Sequence, residues 1–182
     1  LSLLYASSEV VKAGYQVEIL DIRVHNSDWR QRLGAMLADD TLAVGISVMS
    51  GHPIKSAIEV GRLVKSLSPQ TPIIWGGPHA TFYPESILRD EWSCDYVVSG
   101  YASKKFRQLC DCIRDGRAPQ LLEGISWRES ENIRINKLIE KQFEKIEYQD
   151  IPYHLIDDYS PYGQLDQGWR IVSMYSSVGC PY

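Results

Sequence analysis

A chain of 182 residues, 44% hydrophobic and 23% charged, has the composition of a folded globular protein rather than a disordered one. Its length suits one domain of about 100–200 residues with an extension. The net charge of −4 and the absence of any basic block argue against a nucleic-acid partner. There are four cysteines, Cys94, Cys110, Cys112 and Cys180, with no CxxC pair. With no secretory leader and no transmembrane-length apolar run, they point to a reduced, cytoplasmic setting without a membrane or a disulfide framework.

The chain opens without Met and in mid-pattern, as part of something longer would. Residues 1–13 carry apolar positions at helical spacing, closed by Gly14. Residues 15–22 alternate towards a strand. Asp28 is placed to cap a helix running to about Ala38, with Leu33, Met36 and Leu37 on its apolar face. Residues 42–48 form a short apolar run typical of a buried parallel strand. A turn leads into a helix from Pro53 to about Leu67, with proline suitably in its first turn. Residues 72–75 predict a second buried strand, 84–89 a short helix, 95–99 a third strand, and 103–115 a helix closed by Gly116. Residues 125–128 and 132–135 predict a small two-stranded element. Residues 137–168 read as an irregular linker. Residues 170–175 read as a new buried strand.

Strand–helix alternation with short connections predicts an α/β fold, a flavodoxin-like doubly wound parallel sheet with helices on both faces. Such a sheet normally begins with a central strand, whereas this chain begins with a helix. The expectation is therefore that an upstream strand belongs to the longer protein. The domain reading is 1–136 for the Rossmann-like unit with its β addition, 137–168 for a linker, and 169–182 for the start of another domain.

Ligands of open parallel sheets sit at the carboxyl ends of the strands. Three loops fall there: one holds Ser47, Met49, Ser50, Gly51 and His52, one Gly76, Gly77, Pro78 and His79, and one Gly100 and Tyr101. Their small residues let a flat ligand approach the backbone, and their hydroxyls and amides suit a polar periphery. The plainer alternatives stay open. Gly76 and Gly77 can serve only to turn the chain, and either histidine can stand alone with no ligand. Cys94, Cys110 and Cys112 read as packing residues. A response regulator is excluded because Ser47–Val48–Met49 stands where its aspartate belongs. Neither G-x-x-x-x-G-K-[ST] nor G-x-G-x-x-G occurs, so the phosphate loop and the dinucleotide fingerprint are unsupported.

The stretches LSLLYASSEVVKAGYQVEILDIR, VGISVMSGHPIKSAIEVGRLVKSLSPQTPIIWGGPHATFYPE and CDYVVSG resemble the N-terminal, cobalamin-binding domain of cobalamin-dependent (class B) radical-SAM enzymes. IPYHLIDDY resembles that family's linker. IVSMYSSVGCPY is similar to the first barrel strand leading into its CxxxCxxC motif. The resemblance implies cobalamin held by the eleven loop residues named above. No D-x-H-x-x-G motif is present, which implies a cobalt without a histidine ligand. It further implies Cys180 as a ligand of a 4Fe–4S cluster that binds S-adenosylmethionine in the parent protein, with methyl transfer or cyclisation on a small-molecule substrate as the reaction. Two departures stand out. Gly100–Tyr101–Ala102–Ser103 replaces the family's G-E-G-E, and Cys180 is the only cluster cysteine in this chain, so the fragment is not catalytic alone. The rival readings are a non-enzymatic corrinoid sensor and a radical-SAM relative that has lost cobalamin.

Overall fold

The computed structural model describes residues 1–130, 132–139, 150–166 and 169–171, with positions 164–166 and 169–171 described by backbone alone. Its main sheet has five strands: β1 (Val44–Ser47), β2 (Ile73–Gly76), β3 (Tyr96–Val98), β4 (Ile125–Glu129) and β5 (Asn132–Ile135), paired in that order. β1, β2 and β3 run parallel; β4 and β5 run antiparallel. The parallel sheet expected before the β addition is present in β1, β2 and β3. The small two-stranded addition joins the main sheet beside β3, where β4 pairs antiparallel along the free edge of β3 and a turn through Ser130 leads into β5.

Residues 15–22 carry no strand pairing among the described residues. Alternation sets which side chains turn inwards, and Leu20 and Ile22 do pack against the core. A strand also needs a hydrogen-bonded neighbour, which these residues do not have in the described fold.

Among the described residues six α-helices accompany the sheet: α1 (Ser2–Lys12), α2 (Trp29–Met36), α3 (Pro53–Leu67), α4 (Pro78–Phe82), α5 (Pro84–Asp90) and α6 (Ser103–Arg114). β2 shows how the two faces are divided. Successive strand residues point to opposite sides, so Ile73 and Trp75 join a core with Trp29, Leu33, Val60 and Val64, while Ile74 joins another with Val98, Leu109, Ile125 and Trp127. α2, α3 and α5 contribute to the first core and α6 to the second, with α1 packed on α6. The sheet is doubly wound as expected.

Two close approaches set the spacing. A Cβ on Gly61 of α3 would stand 2.5 Å from the Ser93 hydroxyl, and one on Gly45 would stand 3.0 Å from the Phe106 ring. At the amino ends of the strands, Asp95 accepts hydrogen bonds at 2.7 Å from the Ile73 amide and from Lys65.

Within the stretch read as linker, Tyr153–Leu155 and Ser160–Tyr162 are single 3₁₀ turns, and β6 (Gln164–Asp166) pairs antiparallel with β7 (Trp169–Ile171). The 2.7 Å ion pair between Lys12 and Asp150 ties this segment to the end of α1, and Ile151 beside it is buried. β7 begins one residue before the strand expected at 170–175, whose remainder lies outside the described residues.

Candidate functional site

The carboxyl ends of β1, β2 and β3 share one edge, where the parallel register of β1, β2 and β3 brings the three loops together. After β1, the Val48 amide donates to the Gly76 carbonyl at 2.8 Å, continuing the ladder one step past Ser47. Val48 is fully buried, while Ser47, Met49, Ser50, Gly51 and His52 are exposed around it. Gly51 turns the chain at φ +94°, and His52 precedes Pro53 as the N-cap of α3 without a side-chain capping bond.

After β2, Gly76 and Gly77 are half-buried and Gly77 lies at φ +95°. A Cβ there would meet the Val48 carbonyl at 2.9 Å and the Ser47 hydroxyl at 3.3 Å, so no other residue fits without displacement. Pro78 starts α4, and the His79 amide donates back to the Val48 carbonyl at 3.1 Å. After β3 comes buried Ser99, then Gly100 at φ +75° and half-buried Tyr101.

Side chains join the three loops. The Ser50 hydroxyl and His79 Nδ1 share a hydrogen bond at 3.2 Å, connecting the first loop to the second. Thr81 connects the second to the third: its hydroxyl donates to the Gly77 carbonyl at 3.0 Å and accepts from the Gly100 amide at 2.9 Å. The His79 ring leans on Tyr83 with centroids 5.1 Å apart. The structure thus brings all eleven loop residues to one edge. Val48 and Thr81, which lie within the candidate loops but are not among the eleven residues expected to hold the ligand, make the connections. Val48 resembles any apolar strand end, and Thr81 bonds to an amide 19 positions away, a separation that leaves no pattern to read.

The eleven loop residues present hydroxyls, imidazoles, backbone amides and glycines, with no carboxylate and no ammonium among them. Among the described residues no group of three or more His, Cys, Asp or Glu could hold a metal ion. The Trp75 indole N–H, one residue before Gly76, is buried without a partner among the described residues. Glycine turns and exposed hydroxyl-bearing lips fit a large, mostly apolar, amide-rimmed group such as a corrinoid. They do not fit a bare cation.

The buried thiols are poorly suited to chemistry. Burial pushes Cys94 and Cys110 up to about 12, which keeps both as neutral packing groups. Cys180 lies outside the described residues. At the opposite edge of the sheet, a cleft of about 330 Å³ is lined by Lys65, Asp95, Tyr96 and Arg128, among others. Its charges are already engaged: Lys65 with Asp95 and the Thr71 carbonyl, Arg128 with the Cys94 and Leu88 carbonyls. No helix among the described residues is long and apolar enough to cross a membrane.

A family model described as the B12 binding domain matches residues 1–110. An uncharacterized methyltransferase of Pyrococcus horikoshii is 25% identical over the whole chain, which spans 39% of that relative. The anaerobic magnesium-protoporphyrin IX monomethyl ester cyclase of Synechocystis is also 25% identical, and the chain spans 36% of it. Among solved structures, the radical S-adenosylmethionine methyltransferase TsrM from Kitasatospora setae, with cobalamin and a 4Fe–4S cluster bound, superposes with a TM-score of 0.66 at 20% identity, over 75% of this chain and 27% of TsrM. The cobalamin-dependent S-adenosylmethionine radical enzyme OxsB, with aqua-cobalamin and S-adenosylmethionine bound, gives 0.62 at 22% identity, over 84% of this chain and 21% of OxsB.

Proposed function

This chain belongs to the B12-binding domain family, and from that membership we propose that it holds cobalamin at the carboxyl edge of its sheet as part of a cobalamin-dependent radical-SAM enzyme. Ser47, Met49, Ser50, Gly51 and His52 form one lip of the site, Gly76, Gly77, Pro78 and His79 its floor, and Gly100 and Tyr101 the other lip. The observation that carries this reading is the meeting of three glycine-bearing strand ends at one edge of the sheet, joined by the Ser50–His79 and Thr81–Gly100 bonds. The lips supply neutral donors and acceptors for peripheral amides, and the glycine backbone admits a broad apolar face.

When bound, cobalamin supplies methyl-transfer or radical chemistry, and the chain's residues bind and orient it. Cys180 is assigned on the family resemblance to a 4Fe–4S cluster of the parent protein, where S-adenosylmethionine would be cleaved. Methyl transfer or cyclisation of a small molecule is the reaction class supported by the relatives named above. Free Cys94, Cys110 and Cys112 accord with a reduced, cytoplasmic setting.

Titrating the full-length protein with hydroxocobalamin tests the site. A saturable change in the corrinoid spectrum that weakens on Gly77→Ala substitution is the expected result. Absence of binding would overturn the reading and favour a relative that has lost cobalamin. In the anaerobically reconstituted full-length protein, Cys180→Ala should abolish the cluster spectrum and leave cobalamin binding intact. An unchanged cluster would remove that assignment.

A further inference from the structure

We propose that Thr81 is a positioning residue for the cofactor site: its hydroxyl sets the backbone of Gly100 relative to Gly77 and so fixes the distance between the floor and the far lip. The inference rests on the cobalamin reading above and adds a residue whose hydroxyl is engaged by the backbone of two loops.

Within α4, the bond from the Thr81 hydroxyl to the Gly77 carbonyl at 3.0 Å is the ordinary back-bond of a helical threonine. The second bond is not local. The Gly100 amide donates to the same oxygen at 2.9 Å, from a different strand end. Thr81 Oγ1 therefore acts as donor and acceptor at once, between two glycines with φ of +95° and +75°. Gly100 has no Cβ to restrict its backbone, whereas Gly77 is already pressed against Val48. A lip built on Gly100 needs an external restraint to hold one geometry, and the Thr81 hydroxyl is that restraint. The same segment reaches the near lip through His79 and Ser50, so the short stretch from Gly77 to Thr81 spaces both lips.

The test compares Thr81→Val, which keeps the shape and removes the hydroxyl, with Thr81→Ser, which keeps the hydroxyl. Both are made in the full-length protein, with hydroxocobalamin as the probe. Thr81→Val should raise the dissociation constant about tenfold, the usual consequence of losing one well-made hydrogen bond and leaving its donor unmet. It should also speed hydrogen exchange in the peptide that contains Gly100. Thr81→Ser should bind within about twofold of wild type and retain the slow exchange, since the restraint survives. Rescue by serine and the local exchange signature separate positioning from general destabilisation, which would follow the unfolding temperature instead. Wild-type protein that binds no hydroxocobalamin overturns the cobalamin reading and this inference with it. Wild type and Thr81→Val binding alike, or Thr81→Ser binding as weakly as Thr81→Val, overturns the inference alone.

Discussion

Gly77 passes so close to Val48 that a Cβ on it would stand 2.9 Å from the Val48 carbonyl oxygen and 3.1 Å from its amide nitrogen. That carbonyl already accepts from His79, and that amide already donates to Gly76, so neither can yield without breaking a ladder bond. Gly51 has a similar φ of +94° with nothing within 4 Å of a Cβ placed there, whereas Gly77 adds a ψ of −176° that residues with side chains rarely adopt at such a φ. Gly51→Ala should cost only the left-handed penalty of about 1–2 kcal/mol. Gly77→Ala should cost about 1–3 kcal/mol more, for the displaced backbone. Thermal unfolding of the two variants side by side checks this, and equal midpoints would contradict the close approach.

The Ser50–His79 bond lies on an open lip and stabilises the fold little. Ser50→Ala and His79→Ala should each change stability by less than about 1 kcal/mol, as surface substitutions usually do. Each should weaken hydroxocobalamin binding. Because the two residues work as a pair, the double variant should bind about as well as the weaker single one. Strictly additive losses would show that they act independently.

Gly61→Ala would ordinarily stabilise a helix interior by about 1 kcal/mol. Here the added methyl lands 2.5 Å from the Ser93 hydroxyl, which donates at 2.8 Å to buried Glu91. The expected outcome is a net loss of about 1–3 kcal/mol in denaturant unfolding. Pairing it with Ser93→Ala should recover part of that loss, and no recovery would place the clash elsewhere.

The Tyr15 hydroxyl donates to Asp111 at 2.7 Å and Arg107 pairs with it at 2.5 Å. These bonds hold the carboxyl below its ordinary value of 3.8. The folded state therefore binds the proton less readily than the unfolded state. The resulting stability is present at neutral pH and is lost as pH falls from 3.8 through the lowered folded value. Asp111→Asn should lower stability by about 1 kcal/mol at pH 7 and differ little from wild type below that window. An equal deficit at every pH would refute the linkage.

Cys94 and Cys110, with thiols pushed up to about 12 by burial, should resist iodoacetamide at pH 8 in the native protein and label fully after unfolding. Peptide mass mapping distinguishes the four cysteines. Fast native labelling at Cys94 would contradict its burial.

Much of the fold was legible because its signals are local. α3 spans Pro53–Leu67 as expected, since Pro53 sets its start and an apolar stripe its length. α4 was missed because five residues cannot display a period. The pairing partner of β4 was missed because alternation reports which face is buried and is silent on which strand lies alongside. Residues 15–22 show the converse: their pattern is right for a strand, but pairing depends on a neighbour and not on their own side chains. The site divides the same way. Its glycines announce turns, so the loops could be found, whereas the bonds from Thr81 and His79 join distant positions and emerge only once the sheet is assembled.

For redesign, the convergence of both lips on the stretch from Gly77 to Thr81 works as a wiring constraint. Loops from another corrinoid protein cannot be exchanged here one at a time. A graft after β1 must bring an acceptor carbonyl at Val48 and a partner for His79. A graft after β3 must present an amide where Gly100 stands. The positions free to vary are those outside these bonds, and Met49, 55% exposed, is one of them. A library aimed at altered corrinoid selectivity should begin at Met49 and leave α4 untouched.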